Sequence, residues 1–265
     1  MKRYWQVWKR LAVMAFLMQF TNRWSSLGWL GGKFVRLAFF ILFIVSIFRH
    51  VPSVAGYSLE AVALFFLTFN LVDIIAQILI RGIYMVGRDI REGDMDFYLI
   101  QPVNALFRVC SNLVDFLDFL MLIPVVGLIL WVFPRILAGY SGEALLMNGL
   151  LYVLLCANGL VIAFSIHVLV AALTLRTQQM EETIWMYRDL VNLGRFPVDI
   201  YTPFLQVILT FVFPIAVMVS YPSKALLGLL SPQKIVLAFA LSAALLAVAL
   251  ESWKRALKHY SSVSS

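Results

Sequence analysis

Apolar residues fill long unbroken runs in this chain, and the charged residues gather in the gaps between them. Runs of this length cross a bilayer as helices. They predict spans at about 33–49, 59–85, 113–133, 145–174, 203–221 and 234–251. The strict alternation that a membrane barrel needs is missing. A span must satisfy its own backbone hydrogen bonds, so the pattern is that of an all-α membrane protein with six transmembrane helices. Ahead of the first span the period changes. Tyr4, Trp8, Leu11, Ala15 and Met18 recur at helical spacing, with Lys2, Arg3, Gln6, Lys9 and Arg10 able to reach lipid head groups. Residues 4–22 therefore predict an amphipathic helix lying in the interface. Gly28, Gly31 and Gly32 are expected to break it, so that residues 1–32 form an interfacial helix and turn. Lys33 and Arg36 would snorkel where the first span begins.

The gaps divide into two sets. Residues 49–58, 134–143 (with Gly139 and Gly142) and 222–233 fall on one side, and 86–108 and 176–202 on the other. The last of these is expected to carry a surface helix over Gln178–Leu193. No internal repeat and no domain-length linker interrupts the chain, so residues 1–265 read as one transmembrane domain.

Composition supports the same picture. The chain is 62% hydrophobic and 13% charged, against about 45–50% and about 25% in soluble domains. A net charge of +7 raises the possibility of nucleic acid as a partner, but membrane topology explains it better. With both termini cytoplasmic, all but Arg49, Arg135, Lys224 and Lys234 of the 21 lysines and arginines lie on the inner side, as the positive-inside rule requires. Cys110 and Cys156 are too few and too far apart for a disulfide framework or a cysteine metal site. The opening MKRYWQVWKRLAVMAFLMQF lacks a small-residue cleavage site and is expected to be retained.

The stretch Arg91–Asn104, REGDMDFYLIQPVN, lies between two spans and is charged, then apolar, then closed by proline. The second span should continue as helix to Glu92, with Gly93 ending it, since glycine tolerates the left-handed conformation. Asp94 is suited to cap a new turn and Asp96 to sit near its positive end. Met95, Phe97, Leu99 and Ile100 supply an apolar surface, and Pro102 stops the helix. The product is a short interfacial element set at an angle to the spans.

Glu92-Gly93-Asp94-Met95-Asp96, then Leu99, then Pro102-Val103-Asn104, resembles the motif of type-2 ATP-binding-cassette (ABC) permeases. There the pattern is Glu-Gly-Thr-Leu-Glu, two variable residues, leucine and a Pro-Val-Ser-like end, between the second and third spans. Asp94 stands for the usual threonine and Asn104 for the usual serine, and both can still cap a helix. Arg195-Phe196-Pro197 with Ile200-Tyr201, Phe213-Pro214-Ile215, and Tyr221-Pro222 with Leu226-Leu227-Gly228 resemble the six-span bacterial permeases that occur as paired subunits. The resemblance implies that Arg91, Glu92, Gly93, Asp94, Asp96, Phe97, Leu99 and Pro102 belong to a coupling element that contacts an ABC ATPase subunit. It also implies that the N-terminal amphipathic helix is the family's elbow helix. A second permease, identical or related, would complete the passage for a substrate the sequence does not identify, in the direction of export, in a bacterial inner membrane. ATP and Mg would bind the partner ATPase, because this chain has no phosphate-binding loop. Gly31-Gly32-Lys33 is followed by Phe34 and lacks both the first glycine and a preceding strand. No catalytic residue, cofactor or metal site is expected here.

Asn70, Asp73, Gln77 and Arg81 share one stripe of the second span. A carboxylate at that depth should face protein or water, so the stripe marks the translocation path or a permease interface, or else fixes helix packing. Asp115 and Asp118 are expected to meet Arg81 or Arg88. Asn158 and His167 read as packing residues of the fourth span, and Pro214 as a kink in the fifth. Two other classes compete. An ion-coupled secondary transporter would use Asp73 or His167 as its proton site. An intramembrane protease is suggested by Glu181-Glu182 followed by Arg188, but that spacing is too long and the companion histidines are missing.

Overall fold

The structure is a computed structural model, and it describes residues 2–137, 140–177 and 182–260. Most of the described residues are helical, and none of them forms a strand beyond an isolated bridge between Val54 and Tyr57. Five helical stretches are long and apolar enough to cross a membrane: Arg23–Phe48, Leu59–Arg91, Phe116–Ile136, Gly142–Thr177 and Pro232–Lys258. A sixth candidate is a bent pair, Pro203–Val212 and Ala216–Leu226, whose limbs meet at 86°. The all-α membrane fold read from the apolar runs is the fold observed.

Helix α1 (Lys2–Thr21) turns Ala12 and Ala15 inward with Trp8 beside them, while Tyr4 and Met18 lie outside that face. The chain breaks at Asn22, and α2 (Arg23–Phe48) then runs straight through Gly28, Gly31 and Gly32. The expected glycine break is therefore absent. A helical glycine costs only about 1 kcal/mol relative to alanine, far less than leaving backbone groups unpaired at a membrane.

Helix α3 (Leu59–Ile80) belongs to the most enclosed of the five long stretches and supplies Leu64, Phe65, Phe69 and Val72 to the main core. Ser58 starts it by accepting the Ala61 amide. A tighter turn (Arg81–Met85) leads into α4 (Val86–Arg91). Next come the short helices α5 (Asp94–Ile100) and α6 (Ala105–Cys110). Helix α7 (Phe116–Leu137) includes Pro134, which had been expected in the following loop; Gly139 of that loop lies outside the described residues. Helix α8 (Gly142–Thr177) is the longest and packs along α12 (Pro232–Lys258). Asn158 joins the two: its amide donates to the Ala238 carbonyl at 3.3 Å and its oxygen accepts from Ser242.

The stretch expected as a surface helix over Gln178–Leu193 is only half-exposed, with Trp185 and Met186 outward. Its first four residues lie outside the described part, but α9 (Glu182–Val191) buries Ile184, Tyr187 and Val191. Its contacts climb the length of α3. Trp185 meets Tyr84 at 5.8 Å, Arg195 lies over Phe69 at 5.3–5.5 Å from its aromatic neighbours, and Asp199 accepts from Tyr57, ahead of α3, at 3.0 Å. Residues 182–200 thus pass from one end of the bundle to the other. Their arginines face the bundle and its cleft, while Trp185 and Met186 face outward.

The bent pair follows from that far end. Helix α10 (Pro203–Val207) continues in wider turns to Val212, Phe213 is extended, and the second limb climbs back as α11 (Tyr221–Leu226). Met218 touches Gly159 midway along α8, whereas Leu227 accepts from Tyr140 at the far end. Both limbs therefore open on one side. The expected fifth span at 203–221 is a re-entrant pair, and Pro214 marks a break between limbs rather than a kink. Beside the five long helices, residues 182–200 link the two ends of the bundle ahead of this pair.

Candidate functional site

Two features stand out at and above the end where α5 lies. The first is α5 itself. Gly93 closes α4 at φ +79, the left-handed turn expected of it, and α5 leaves at a new direction. Gly93, not Asp94, is the cap residue; Asp94 and Asp96 occupy the first turn of α5, where the helix dipole favours carboxylates. The helix has two faces. Met95 (0% exposed) and Tyr98 (5%) dock it on the body, while Phe97 (62%) and Ile100 (79%) stand out with Leu99. Of the expected apolar surface, Met95 belongs to the inner side. Pro102 lies in the turn that follows, and Asn104 caps α6 by accepting from the Leu106 and Phe107 amides.

A buried carboxylate ties α5 down, and the sequence reading missed it. Asp89 accepts from the Tyr98 hydroxyl at 3.2 Å, from Asn112 at 3.0 Å and from Arg88 at 3.3 Å. Arg108 covers the Tyr98 ring at 4.3 Å and donates to Gln101 and Asn112. Burial, then the Asp89 charge, pushes the Tyr98 phenol up to about 12, so it stays a donor at every physiological pH. The three-residue spacing of Met95 and Tyr98 was the available signal for this inner face. From outside, Tyr4 of α1 accepts the Asn104 amide at 3.2 Å and packs edge-on against Phe107 at 4.9 Å. Tyr260, after α12, sits against Asp96, and burial together with that carboxylate raises its phenol to about 12. Both ends of the described chain thus touch the 91–104 element.

The second feature is a half-open cleft of about 830 Å³ between α2, α3, α7 and α9. Asn70, Asp73, Gln77 and Arg81 all line it, so the stripe read from the sequence faces one space. Lys33, Arg36, Arg188 and Arg195 line it too. Arg188 and Arg195 had been counted on the inner surface, and lie inside the bundle because α9 does.

At the mouth, Lys33 donates to Asp118 at 2.6 Å and Asp115 at 3.1 Å, and Arg81 pairs with Asp115 and lies 3.6 Å from Asp118. Burial raises the Asp115 carboxyl, but Arg81 and Lys33 outweigh it and hold the group below the usual carboxylate range. Arg81 is the expected partner; Lys33, taken for a snorkelling residue, is the other. Arg88 pairs instead with Asp89 and Glu92. Both aspartates are nearly buried, so Lys33→Met leaves two carboxylates on one guanidinium. We expect a loss of roughly 2 kcal/mol or more in denaturant unfolding. Restored stability in Lys33→Met/Asp118→Asn would identify charge as the cause.

Deeper in, Gln77 donates to the Tyr84 hydroxyl at 2.9 Å, and that hydroxyl lies 3.1 Å from His167 Nε2. His167 Nδ1 lies 2.7 Å from the Ala163 carbonyl, which can only accept. The ring therefore carries its proton on Nδ1 and accepts from Tyr84 at Nε2. His167 is committed to packing, as expected of it. Asp73 has no hydrogen bond or ion pair among the described residues, although Arg36, Arg188 and Arg195 share its cavity. At the far end, Asp199 accepts from Lys224 at 2.8 Å and from Tyr57 at 3.0 Å.

A family model described as ABC-2 family transporter protein matches residues 34–264. No curated protein and no solved structure matches the chain. The matched region takes in α5, every wall of the cleft except part of α2, and the re-entrant pair. Members of this family are membrane subunits that work with ABC ATPases, and a bundle of membrane helices agrees with that. The chain belongs to the ABC-2 family of transporter proteins, as a permease, the membrane-embedded part of an ABC transporter.

Proposed function

We propose that this permease pairs with a second one, identical or related, and exports its substrate at the expense of ATP hydrolysed on separate ATPase subunits. The observation that carries the reading is α5: a helix fixed to the bundle by Met95, Tyr98 and Asp89, yet presenting Phe97, Leu99 and Ile100 outward. Large apolar side chains held rigidly outward suit a protein partner. Glu92, Asp94 and Asp96 would give it charge to recognise, and Arg91 and Gly93 set the approach. The ATPase would bind ATP and Mg and grip α5, which continues through α4 into α3. Movement of α3 and of α7 would then reshape the cleft that Asn70, Asp73, Gln77 and Arg81 line.

The end carrying α5 is the cytoplasmic one in this reading, with both termini on that side of a bacterial inner membrane. The charge bias supports it, even with Arg188 and Arg195 moved into the bundle. A proton-coupled transporter would need a free titrating group; His167 is hydrogen-bonded at both nitrogens, which leaves Asp73 as the one such candidate of the two. Reconstituted into vesicles with its ATPase, the permease should drive transport that follows ATP and survives collapse of the proton gradient. Transport that vanishes with the gradient and ignores ATP would sink the proposal.

A further inference from the structure

The charges in the cleft do not balance at its deep end. At the mouth, Lys33 and Arg81 are matched by Asp115 and Asp118. Further in, the charged lining consists of Arg36, Arg188 and Arg195 with Asp73 and Asp189, three cations against two carboxylates. None of these five has an ion pair within 4.0 Å among the described residues. Arg195 lies over Phe69, midway along α3, and its buried Nε–H has no acceptor among the described residues. Arg36 is midway along α2. A buried guanidinium N–H without an acceptor, such as that of Arg195, is costly unless an anion meets it. Trp29 and Trp185 line the wider part of the same cleft and offer flat apolar walls.

We propose that the cleft binds the phosphoryl group of an anionic amphiphile, held by Arg36, Arg188 and Arg195 with its apolar part against Trp29 and Trp185. Guanidinium forks pair bidentately with phosphate oxygens, which lysine cannot do. Asp73 keeps the cluster from overcharging and leaves room for a monoester or diester. This rests on the permease reading, since it names what would pass through the cleft.

The test is equilibrium binding to the purified full chain in neutral detergent micelles, without any ATPase. The probes are dioctanoyl phosphatidic acid, dioctanoylglycerol as its uncharged counterpart, and inorganic phosphate. Phosphatidic acid should bind saturably and the glycerol lipid should not. Arg36→Gln and Arg195→Gln should each weaken binding roughly tenfold or more, the loss of one charge-assisted contact. Arg36 is exposed and unpaired, so its variant should fold even if Arg195→Gln does not. Displacement of the lipid by excess inorganic phosphate means that the site reads the phosphoryl group alone and accepts a soluble phosphate. Failure to displace means that the diacyl body is part of the ligand. No saturable binding of either phosphate probe, equal uptake of dioctanoylglycerol, or unchanged affinity in both variants overturns the proposal. Coupling to ATP can fail while this binding persists, and the reverse, so the two readings fall separately.

Discussion

Gly82→Val should remove most of the folded protein. Gly82 lies in the tight turn between α3 and α4, where it presses on the end of α6. A Cβ there would stand 2.0 Å from the Val109 carbonyl oxygen, 2.8 Å from that of Cys110 and 2.9 Å from the Asn112 nitrogen. All three are backbone atoms, so no side chain can swing aside. Relief requires α6 to move, and Asn112 would carry with it the hydrogen bond that fixes Asp89 and hence α5. Overpacking commonly costs 1–3 kcal/mol where side chains yield; against fixed backbone we expect about 3 kcal/mol or more. Even Gly82→Ala should show a clear loss in denaturant unfolding. Gly31→Ala is the control. Its Cβ meets nothing within 4 Å, and it replaces a mid-helix glycine, so stability should hold or rise by about 0.5–1 kcal/mol. Native-like stability in Gly82→Val would mean that the close approach is not there.

The second large effect is on transport rather than folding. Gly93→Val should reduce ATP-driven transport by roughly tenfold or more while insertion and cleft binding persist. No atom lies within 4 Å of a Cβ at this position, so sterics with neighbours are not the obstacle. The backbone is: φ +79 costs a non-glycine residue about 1–2 kcal/mol, and a β-branched one more. Valine would favour a right-handed helical turn and run α4 directly into α5. That change would swing Phe97 and Ile100 away from their present direction. The signature is uncoupling, in which ATP hydrolysis no longer responds to substrate. Glu92→Lys tests the charge on the same element without altering its course. Full transport in both variants would exclude α5 from the mechanism.

The parts of this fold set by solvent were legible in the chain. Apolar runs of bilayer length gave α2, α3, α7, α8 and α12, and the turn at Gly93 followed from local chemistry at one residue. The stripe Asn70, Asp73, Gln77 and Arg81 could be placed on one face because helical spacing fixes it. What escaped was anything decided by the neighbours of a helix. Residues 182–200 looked cytoplasmic since Arg188, Asp189 and Arg195 would be costly in lipid, but protein and a polar cleft enclose them instead. Residues 203–221 looked like a span because their composition suits lipid, and nothing local reveals that the chain turns back at Phe213-Pro214. Lys33 likewise found Asp115 and Asp118, residues more than eighty positions away, in place of head groups. Gly28, Gly31 and Gly32 misled for the opposite reason, as a weak local preference yielded to the need for a continuous helix.

The account depends on α5 meeting an ATPase, and Ile100 is the most exposed of its apolar side chains. With a cysteine at position 100, a short bifunctional reagent applied to the native membrane should join the permease to an ABC ATPase subunit. A cysteine replacing Ile123, equally apolar but on the outer side of α7, should yield no such product. Cross-linking at 100 and not at 123 is the predicted result; a cysteine at 100 that reacts freely with small reagents yet never captures an ATPase would contradict it.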